Sequence, residues 1–356
     1  MKLANFPYLI QKEIYAHLSI TDIFFLSLCS KKTKNNIKQI QKQQFEKVEL
    51  IEYSILTTFG DVTCIFAKMG RRKTSVLTLV TSPQHIPRRM TSAPVEEVKV
   101  NELGTPIIFY RTPSIASILH ANHTSSNMES VITAIHNHLY DLLGHHTKFW
   151  LNSCNRNVNY LPMLQNIEKL KIYGATVKRR ILDEFLSNST SLACFAWGLR
   201  CEQQIELRAA SKIYDLDTVY ARAYPLTANI LKYFNGRHAF LDGRPITISD
   251  VIPFLKAWQS GEKFQNLEVI TLDSFFEVRD IRKQVEFKEV NTEIRYFFDR
   301  KFTIDPRPVS EPLEFKSRFY IVRKSDGHVA SVKMTGTEIF MGVWNMTESQ
   351  FLEKFR

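Results

Sequence analysis

From Phe6 to Ile40 the chain alternates short apolar clusters with polar residues at helical spacing. Ile10, Ile14 and Leu18 recur four apart behind Pro7, a residue suited to a first helical turn because its missing N–H would be unpaired there anyway. That spacing predicts one short amphipathic helix. Ser19 with Asp22 three residues later reads as a capping-box-like start for a second helix through Ile23–Cys29. Ile23-Phe24-Phe25-Leu26-Ser27-Leu28-Cys29 is apolar on nearly every side, so such a helix has to be covered all round. Ser30–Ile40 then reads as a third helix, its few apolar positions inward and its lysines toward water.

Beyond this segment the period changes. Lys47–Tyr53, Val62–Phe66 and Ser75–Val80 read as strands around the turn-prone Met69-Gly70-Arg71. Residues 82–106, with Pro83, Pro87, Pro94 and Pro106 among polar and basic residues, read as a surface loop. Met128–Leu143 carries Val131, Ile132, Ile135, Leu139, Leu142 and Leu143 on one side of a helix closed by Gly144. Gln165-Asn166-Ile167-Glu168-Lys169-Leu170-Lys171-Ile172 matches Gln265-Asn266-Leu267-Glu268-Val269-Ile270-Thr271-Leu272 in register, an internal repeat of strand character. Leu192–Trp197, Thr218–Ala221 and His238–Leu241 are further strands between them. Arg180–Leu186 and Asp250–Trp258 are helical, with Pro253 expected to kink the second.

Strand and helix units of this kind cannot each bury their own apolar face. Stacking them gives an α/β body resembling irregular leucine-rich repeats, with a curved parallel sheet and a concave face. Toward the end, Phe319–Lys324 and Val329–Val332 flank Asp326-Gly327, a strong short signal for a β-hairpin.

Composition narrows the chemistry. With 356 residues, 44% hydrophobic and 23% charged, the chain is an ordinary globular sequence of more than one module. Only 12 residues are glycine, which argues against phosphate-cradling loops. No stretch approaches the ~18 apolar residues of a membrane span and no signal peptide opens the chain, so a cytoplasmic and/or nuclear protein is expected. Cys29, Cys64, Cys154, Cys194 and Cys201 are odd in number and scattered, as reduced core thiols are.

His136-Asn137-His138 spells a nuclease-like tripeptide, but it falls inside the 128–143 helix and reads as its exposed polar face. His145-His146 has no acidic or cysteine partner at ligand spacing. No nucleophile and base stand together, and no hydrolase elbow, Walker-type loop or zinc-protease pair occurs. The chain is therefore expected to be no enzyme, with no catalytic residues, metal or cofactor.

Net charge is +11, concentrated partly in Lys31, Lys32, Lys34, Lys38 and Lys42, with no acid between Asp22 and Glu46. No aromatic is interleaved there at stacking intervals, so the run reads as a solvated helix face or a docking patch for an acidic protein ahead of a nucleic-acid site.

Three helices in about 35 residues cannot enclose this much apolar surface unaided, and with no metal or disulfide signal a protein partner is favoured over packing onto the rest of the chain. Phe6-Pro7-Tyr8-Leu9-Ile10-Gln11-Lys12-Glu13-Ile14, then Leu18, Ile23 and Leu26-Ser27-Leu28-Cys29-Ser30-Lys31-Lys32-Thr33-Lys34, resembles the F-box in the variant carried by a large nematode F-box family. It departs from the common F-box where Lys31-Lys32-Thr33-Lys34 replaces a Trp-containing stretch. The resemblance implies the substrate receptor of an SCF ubiquitin ligase, whose box docks a Skp-family adaptor and through it a cullin, and which recruits an unknown protein substrate. It implies adaptor contacts at Pro7, Leu9, Ile10, Ile14, Leu18, Ile23, Leu26, Leu28 and Cys29. Residues 125–345 resemble, more loosely, the F-box associated domain (type two) of the same family. The expected organisation is a three-helix box over 1–45, a small β-rich connection over 46–125, a repeat-like α/β substrate-binding domain over 126–345, and a tail over 346–356. Two alternatives stand beside it: a basic nucleic-acid-binding protein using Lys31–Lys42, and an interaction protein with a degenerate box.

Overall fold

The computed structural model describes residues 5–56, 62–80, 95–99, 106–112, 115–120, 125–154, 157–158, 160–173, 176–198, 207–222, 226–242, 246–298 and 313–355. The chain divides into two compact units, Met1–Leu192 and Ala193–Arg356. The boundary thus falls inside the span expected to form one repeat-like domain, and the N-terminal helices belong to the same unit as the strands that follow them.

The first unit opens with α1 (Tyr8–His17), α2 (Ile20–Leu28), α3 (Lys31–Ile40) and the short α4 (Lys42–Phe45). Pro7 caps α1 from outside, in extended conformation. Ser19 caps α2 by accepting from the Asp22 N–H at 3.1 Å, and Ser30 caps α3 by accepting from the Thr33 N–H at 3.0 Å, so the backbone donors that helix starts leave orphaned are met by local side chains.

Strands β1 (Leu50–Leu56), β2 (Val62–Met69) and β3 (Arg72–Val80) form an antiparallel meander turning at Gly70, whose φ of 58° suits a residue without Cβ. β4 (Val95–Lys99), β5 (Pro106–Thr112) and β6 (Ile115–His120) extend that sheet, β6 lying parallel to β3. Part of the span read as a loop is therefore strand, because Val95–Lys99 finds its ladder partner in Pro106–Tyr110, with Pro106 at the first position of its strand; 82–94 and 100–105 lie outside the described residues. After α5 (Ser125–Leu143), β7 (Lys148–Cys154) returns parallel to β1, and β9 (Ile167–Ile172) parallel to β7; β8 (Asn157–Val158) and β10 (Thr176–Val177) pair separately, and α6 (Arg179–Asn188) follows. Ile51, Tyr53, Ile55, Phe149, Leu151, Leu170 and Ile172 are buried, as are Val131, Ile132, Ile135, Leu139, Leu142 and Leu143 of α5.

The second unit carries four parallel strands, β11 (Cys194–Trp197), β12 (Thr218–Ala221), β13 (His238–Asp242) and β14 (Val269–Asp273), with α7 (Leu226–Tyr233) and α8 (Ile248–Ser260) in the crossovers. Helix α8 runs through Pro253, which forfeits one intrahelical bond near its start. The helix ends at Gly261, whose φ of 79° places it in the left-handed region. Next come α9 (Val278–Gln284), β15 (Lys288–Phe298), β16 (Leu313–Val322), β17 (His328–Met334), β18 (Glu338–Thr347) and α10 (Glu348–Lys354).

β18 pairs antiparallel with β14, and β15 to β18 form an antiparallel series. Between β16 and β17 the chain turns at Lys324–Asp326, where the buried Arg323 holds Asp326 through Nε at 3.0 Å and Nη2 at 2.7 Å, and donates from Nη1 to the Gln265 carbonyl at 2.9 Å. The series curls enough that Tyr296 of β15 rests on Gly342 of β18: a Cβ there would lie 2.4 Å from the ring, so only glycine fits. Around this contact Phe240, Val269, Leu313 and Phe315 form an apolar cluster.

Candidate docking surface of the N-terminal helices

Helix α1 exposes apolar residues in its first turn and buries Gln11 and Tyr15. Its buried residues are Gln11, 8% exposed, and Tyr15, 1% exposed, while Tyr8, Leu9 and Ile10 stand 58%, 71% and 46% exposed. The inward face is held by polar groups that find partners. Gln11 Nε2 donates to the Phe6 carbonyl, its Oε1 accepts from Asn36 Nδ2 of α3, and the same Asn36 amide lies 3.5 Å from the Tyr15 hydroxyl. Burying an amide is tolerable because its hydrogen bonds are met, but leaving a row of large apolar side chains in water has no internal compensation. With Gln11 satisfied inside, Tyr8-Leu9-Ile10 is an outward apolar patch on α1.

Helix α2 is anchored from the other side. Ile20, Ile23, Phe24 and Ser27 are buried, and the Thr21 hydroxyl donates to the Ser75 carbonyl of β3 at 3.1 Å. Ser27 Oγ donates to the Phe24 carbonyl at 2.6 Å and lies 2.6 Å from His138 Nε2 of α5; with its own hydrogen committed, Ser27 accepts and His138 donates. The Phe24 ring meets His138 edge-on at 5.8 Å between centroids. From α3, Lys34 and Lys38 reach Asp141 of α5 at 2.6 and 2.8 Å. Those two ammonium groups hold the Asp141 carboxyl down to about 2.

Of the nine residues expected to meet a partner, Pro7, Leu9, Ile10 and Cys29 are exposed, and Ile14, Leu18, Leu26 and Leu28 are half-buried. Ile23 is the departure: at 4% exposed it packs inward and is not on the presented face. The helix was expected to need covering all round, and the first unit itself supplies half of that cover. Tyr8 was missed, although it adjoins Leu9 and Ile10 in sequence and is exposed with them.

The tripeptide His136-Asn137-His138 overturns its expected place. Asn137 is exposed, but His136 and His138 are buried. His136 Nε2 donates to the Gln165 carbonyl at 2.9 Å, and its Nδ1 accepts from the Tyr53 hydroxyl at 3.0 Å. Burial lowers both imidazoles to about 4, against 6.5 ordinarily, and nearby Lys34 adds to the effect on His138. They are neutral pins that tie α5 to β1 and to α2, because their partners lie on other elements. His145 contacts the Tyr140 hydroxyl, and His146 Nε2 donates to the Phe45 carbonyl at 3.0 Å. Among the described residues no group of three or more His, Cys, Asp or Glu could hold a metal, and no helix is long and apolar enough to cross a membrane. Cys29, Cys64, Cys154 and Cys194 are unbridged; Cys201 lies outside the described residues.

In the second unit an open cleft of about 710 Å³ is lined by Asp215, Asp217, Arg237, Glu268, Tyr296 and Trp344 among others. Arg237 bridges Glu268 at 2.6 Å and Asp217 at 3.7 Å, and His238 lies 3.2 Å from Glu268. Its charges are largely satisfied by one another.

Compared with known protein families, residues 3–42 match the F-box domain. No curated protein and no solved structure matches the chain. The matched segment spans α1 to α3 and contains both the outward apolar patch and the inward-turned Gln11 and Tyr15.

Proposed function

We propose that this chain is the substrate-recognition subunit of an SCF-type ubiquitin ligase. Its F-box docks a Skp-family adaptor, itself bound to a cullin, and the remainder recruits a target protein that other subunits modify. The observation that carries this reading is the exposed Tyr8-Leu9-Ile10 patch within a segment that matches the F-box domain, on a helix whose buried residues are Gln11 and Tyr15. Adaptor contacts fall to Pro7, Leu9, Ile10, Ile14, Leu18, Leu26, Leu28 and Cys29, with Tyr8 added and Ile23 acting from behind.

The receptor is non-catalytic and works in the cytoplasm and/or nucleus. Four parallel strands joined by crossovers support the leucine-rich-repeat-like reading of the body, and the F-box followed by such a body supports kinship with the nematode family and its type two associated domain. Coexpression of the tagged chain with a Skp-family adaptor and its cullin tests the reading. Both copurify with the wild type if it is right, and absence of the adaptor from the eluate of a folded chain overturns it.

A further inference from the structure

In the second unit Asp217, Arg237 and Glu268 stand immediately before β12, β13 and β14. The first residues of those strands, Thr218, His238 and Val269, are paired in register, so the three charged residues lie in one row along the sheet end. Val343 of β18 continues the row, its N–H donating to the Glu268 carbonyl at 2.8 Å, and Trp344 follows it in the chain. The cleft of about 710 Å³ is built on this row and takes in Asp215 as well. Its carboxylates outnumber the cations left to meet them. Arg323 and His328 also line it, but both turn to Asp326, at 2.7 and 3.1 Å. Arg237 gives its 2.6 Å contact to Glu268, while Asp217 stands 3.7 Å from Arg237 and 3.9 Å from His238, beyond hydrogen-bond reach. Asp215 is exposed and accepts from the Asn235 amide at 2.8 Å, with no cation at salt-bridge distance among the described residues. In a chain of net charge +11, the cleft is thus a local excess of negative charge.

We propose that this cleft binds a basic, extended segment of a target protein, its Lys or Arg side chains over Asp215 and Asp217 and a neighbouring apolar side chain against the half-buried Val343 and Trp344. This rests on the substrate-receptor reading and deepens it by stating the class of target. The volume lies within the ~300–1,000 Å³ of ligand clefts, but small-molecule sites are mostly apolar and enclosed. Here Asp217, Glu268 and Arg237 keep a third to a half of their side-chain surface in water. A solvent-reaching wall of carboxylates suits a cationic polypeptide, which gains charge-assisted hydrogen bonds from Asp215 and Asp217 without breaking the Arg237 contact to Glu268. The walls are fixed before any ligand arrives. The Asn235 N–H donates to the Tyr214 carbonyl at 2.7 Å, Asn266 Nδ2 to the Asn235 carbonyl at 3.1 Å, and the Tyr296 hydroxyl to the Glu268 carbonyl at 3.2 Å. Gly236 presses so closely on the Leu216 carbonyl that a Cβ would lie 1.9 Å from it. A site held this way has little ordering cost to offset on binding.

The test selects a randomised octapeptide library, displayed on phage, against the immobilised full chain, and titrates the enriched peptides, synthesised with a fluorescent label, by anisotropy. The cleft predicts enrichment of Lys or Arg at two or more positions beside an apolar residue, with affinity that falls as salt rises. Binding should be at least about tenfold weaker for Asp215→Asn/Asp217→Asn. It should be unchanged for Asp273→Asn, which removes the same charge from an exposed position at the far end of β14. If the double variant melts early, Asp215→Asn alone keeps an acceptor for the Asn235 amide and carries the test, with binding about threefold weaker than wild type. Absence of basic enrichment, or basic peptides bound equally by wild type and the folded cleft variants, overturns the proposal. The same preparations are offered a recombinant Skp-family adaptor. Adaptor capture alongside either of those results removes the cleft assignment and leaves the receptor reading standing. Cleft-dependent peptide binding by a folded chain that captures no adaptor establishes the site and overturns the receptor reading instead.

Discussion

Acid sensitivity of the first unit follows from its two buried histidines. His136 and His138 are neutral in the fold, with values lowered to about 4, whereas in the unfolded chain each returns to the ordinary 6.5. A lowered folded value means that protons bind the unfolded chain first. The stability these residues support is therefore complete above pH 6.5 and is lost as pH falls from 6.5 toward 4. At pH 5 the unfolded histidine is almost fully protonated and the folded one hardly at all, which costs about 2 kcal/mol per residue and about 4 kcal/mol for both. For a unit of this size that is a fall of about 8–16 °C in melting temperature between pH 7.5 and pH 5.

Asp141 does not blur the window, because its carboxyl, held to about 2, stays ionised throughout. His238 in the second unit is also lowered by burial, so the decisive comparison is between variants. His138→Gln retains a donor toward Ser27 and has no imidazole to protonate. Thermal melts at several pH values should show it losing about half of the acid sensitivity. Equal acid slopes for wild type and His138→Gln would refute the assignment of a neutral, buried imidazole.

Other consequences follow from the same contacts. Gly342→Ala forces a methyl group against the Tyr296 ring, 2.4 Å away, and should cost about 1–3 kcal/mol in denaturant unfolding; Tyr296→Ala combined with it should relieve the clash and give a non-additive double-mutant cycle. Asp141→Asn removes the carboxylate shared by Lys34 and Lys38, and because Asp141 is half exposed the loss should be about 0.5–1 kcal/mol, vanishing as pH falls from 3.8 to about 2. Arg323→Met strips the Asp326 fork and the Gln265 carbonyl of their donor and should destabilise the second unit by about 2–3 kcal/mol, read by chemical denaturation.

Local signals in the sequence were legible where the cause is local. Ser19 and Ser30 cap α2 and α3 because a hydroxyl three residues before an orphan N–H can reach it whatever the rest of the chain does. Gly70 turns the first strands, and the two Gln-Asn-(Ile/Leu)-Glu segments lead into β9 and β14. What could not be read was which face of an element meets which neighbour. The spacing of Ile10, Ile14 and Leu18 showed an apolar stripe on α1, but only tertiary structure shows that Gln11 and Tyr15 take the inward side because Asn36 of another helix satisfies them.

His136 and His138 looked like solvent-facing polar positions for the same reason: their partners Tyr53 and Ser27 are 83 and 111 residues away. Ile23 is indistinguishable from Leu26 by hydrophobicity, and its burial follows from the side of α2 that carries Ser27 and Phe24 toward α5. The boundary at Leu192 leaves no mark in composition, since strand and helix patterns continue across it.

Calorimetric titration of a Skp-family adaptor into the wild type and into Leu9→Asp/Ile10→Asp asks whether the outward apolar patch of α1 docks an adaptor. Both positions are exposed, so the variant should melt within about 1 °C of wild type, as surface changes do. A docking patch gives a one-to-one complex for the wild type and at least roughly a hundredfold weaker binding for the variant, because each aspartate would have to be desolvated in an apolar groove. Wild-type affinity retained by the folded variant would contradict it.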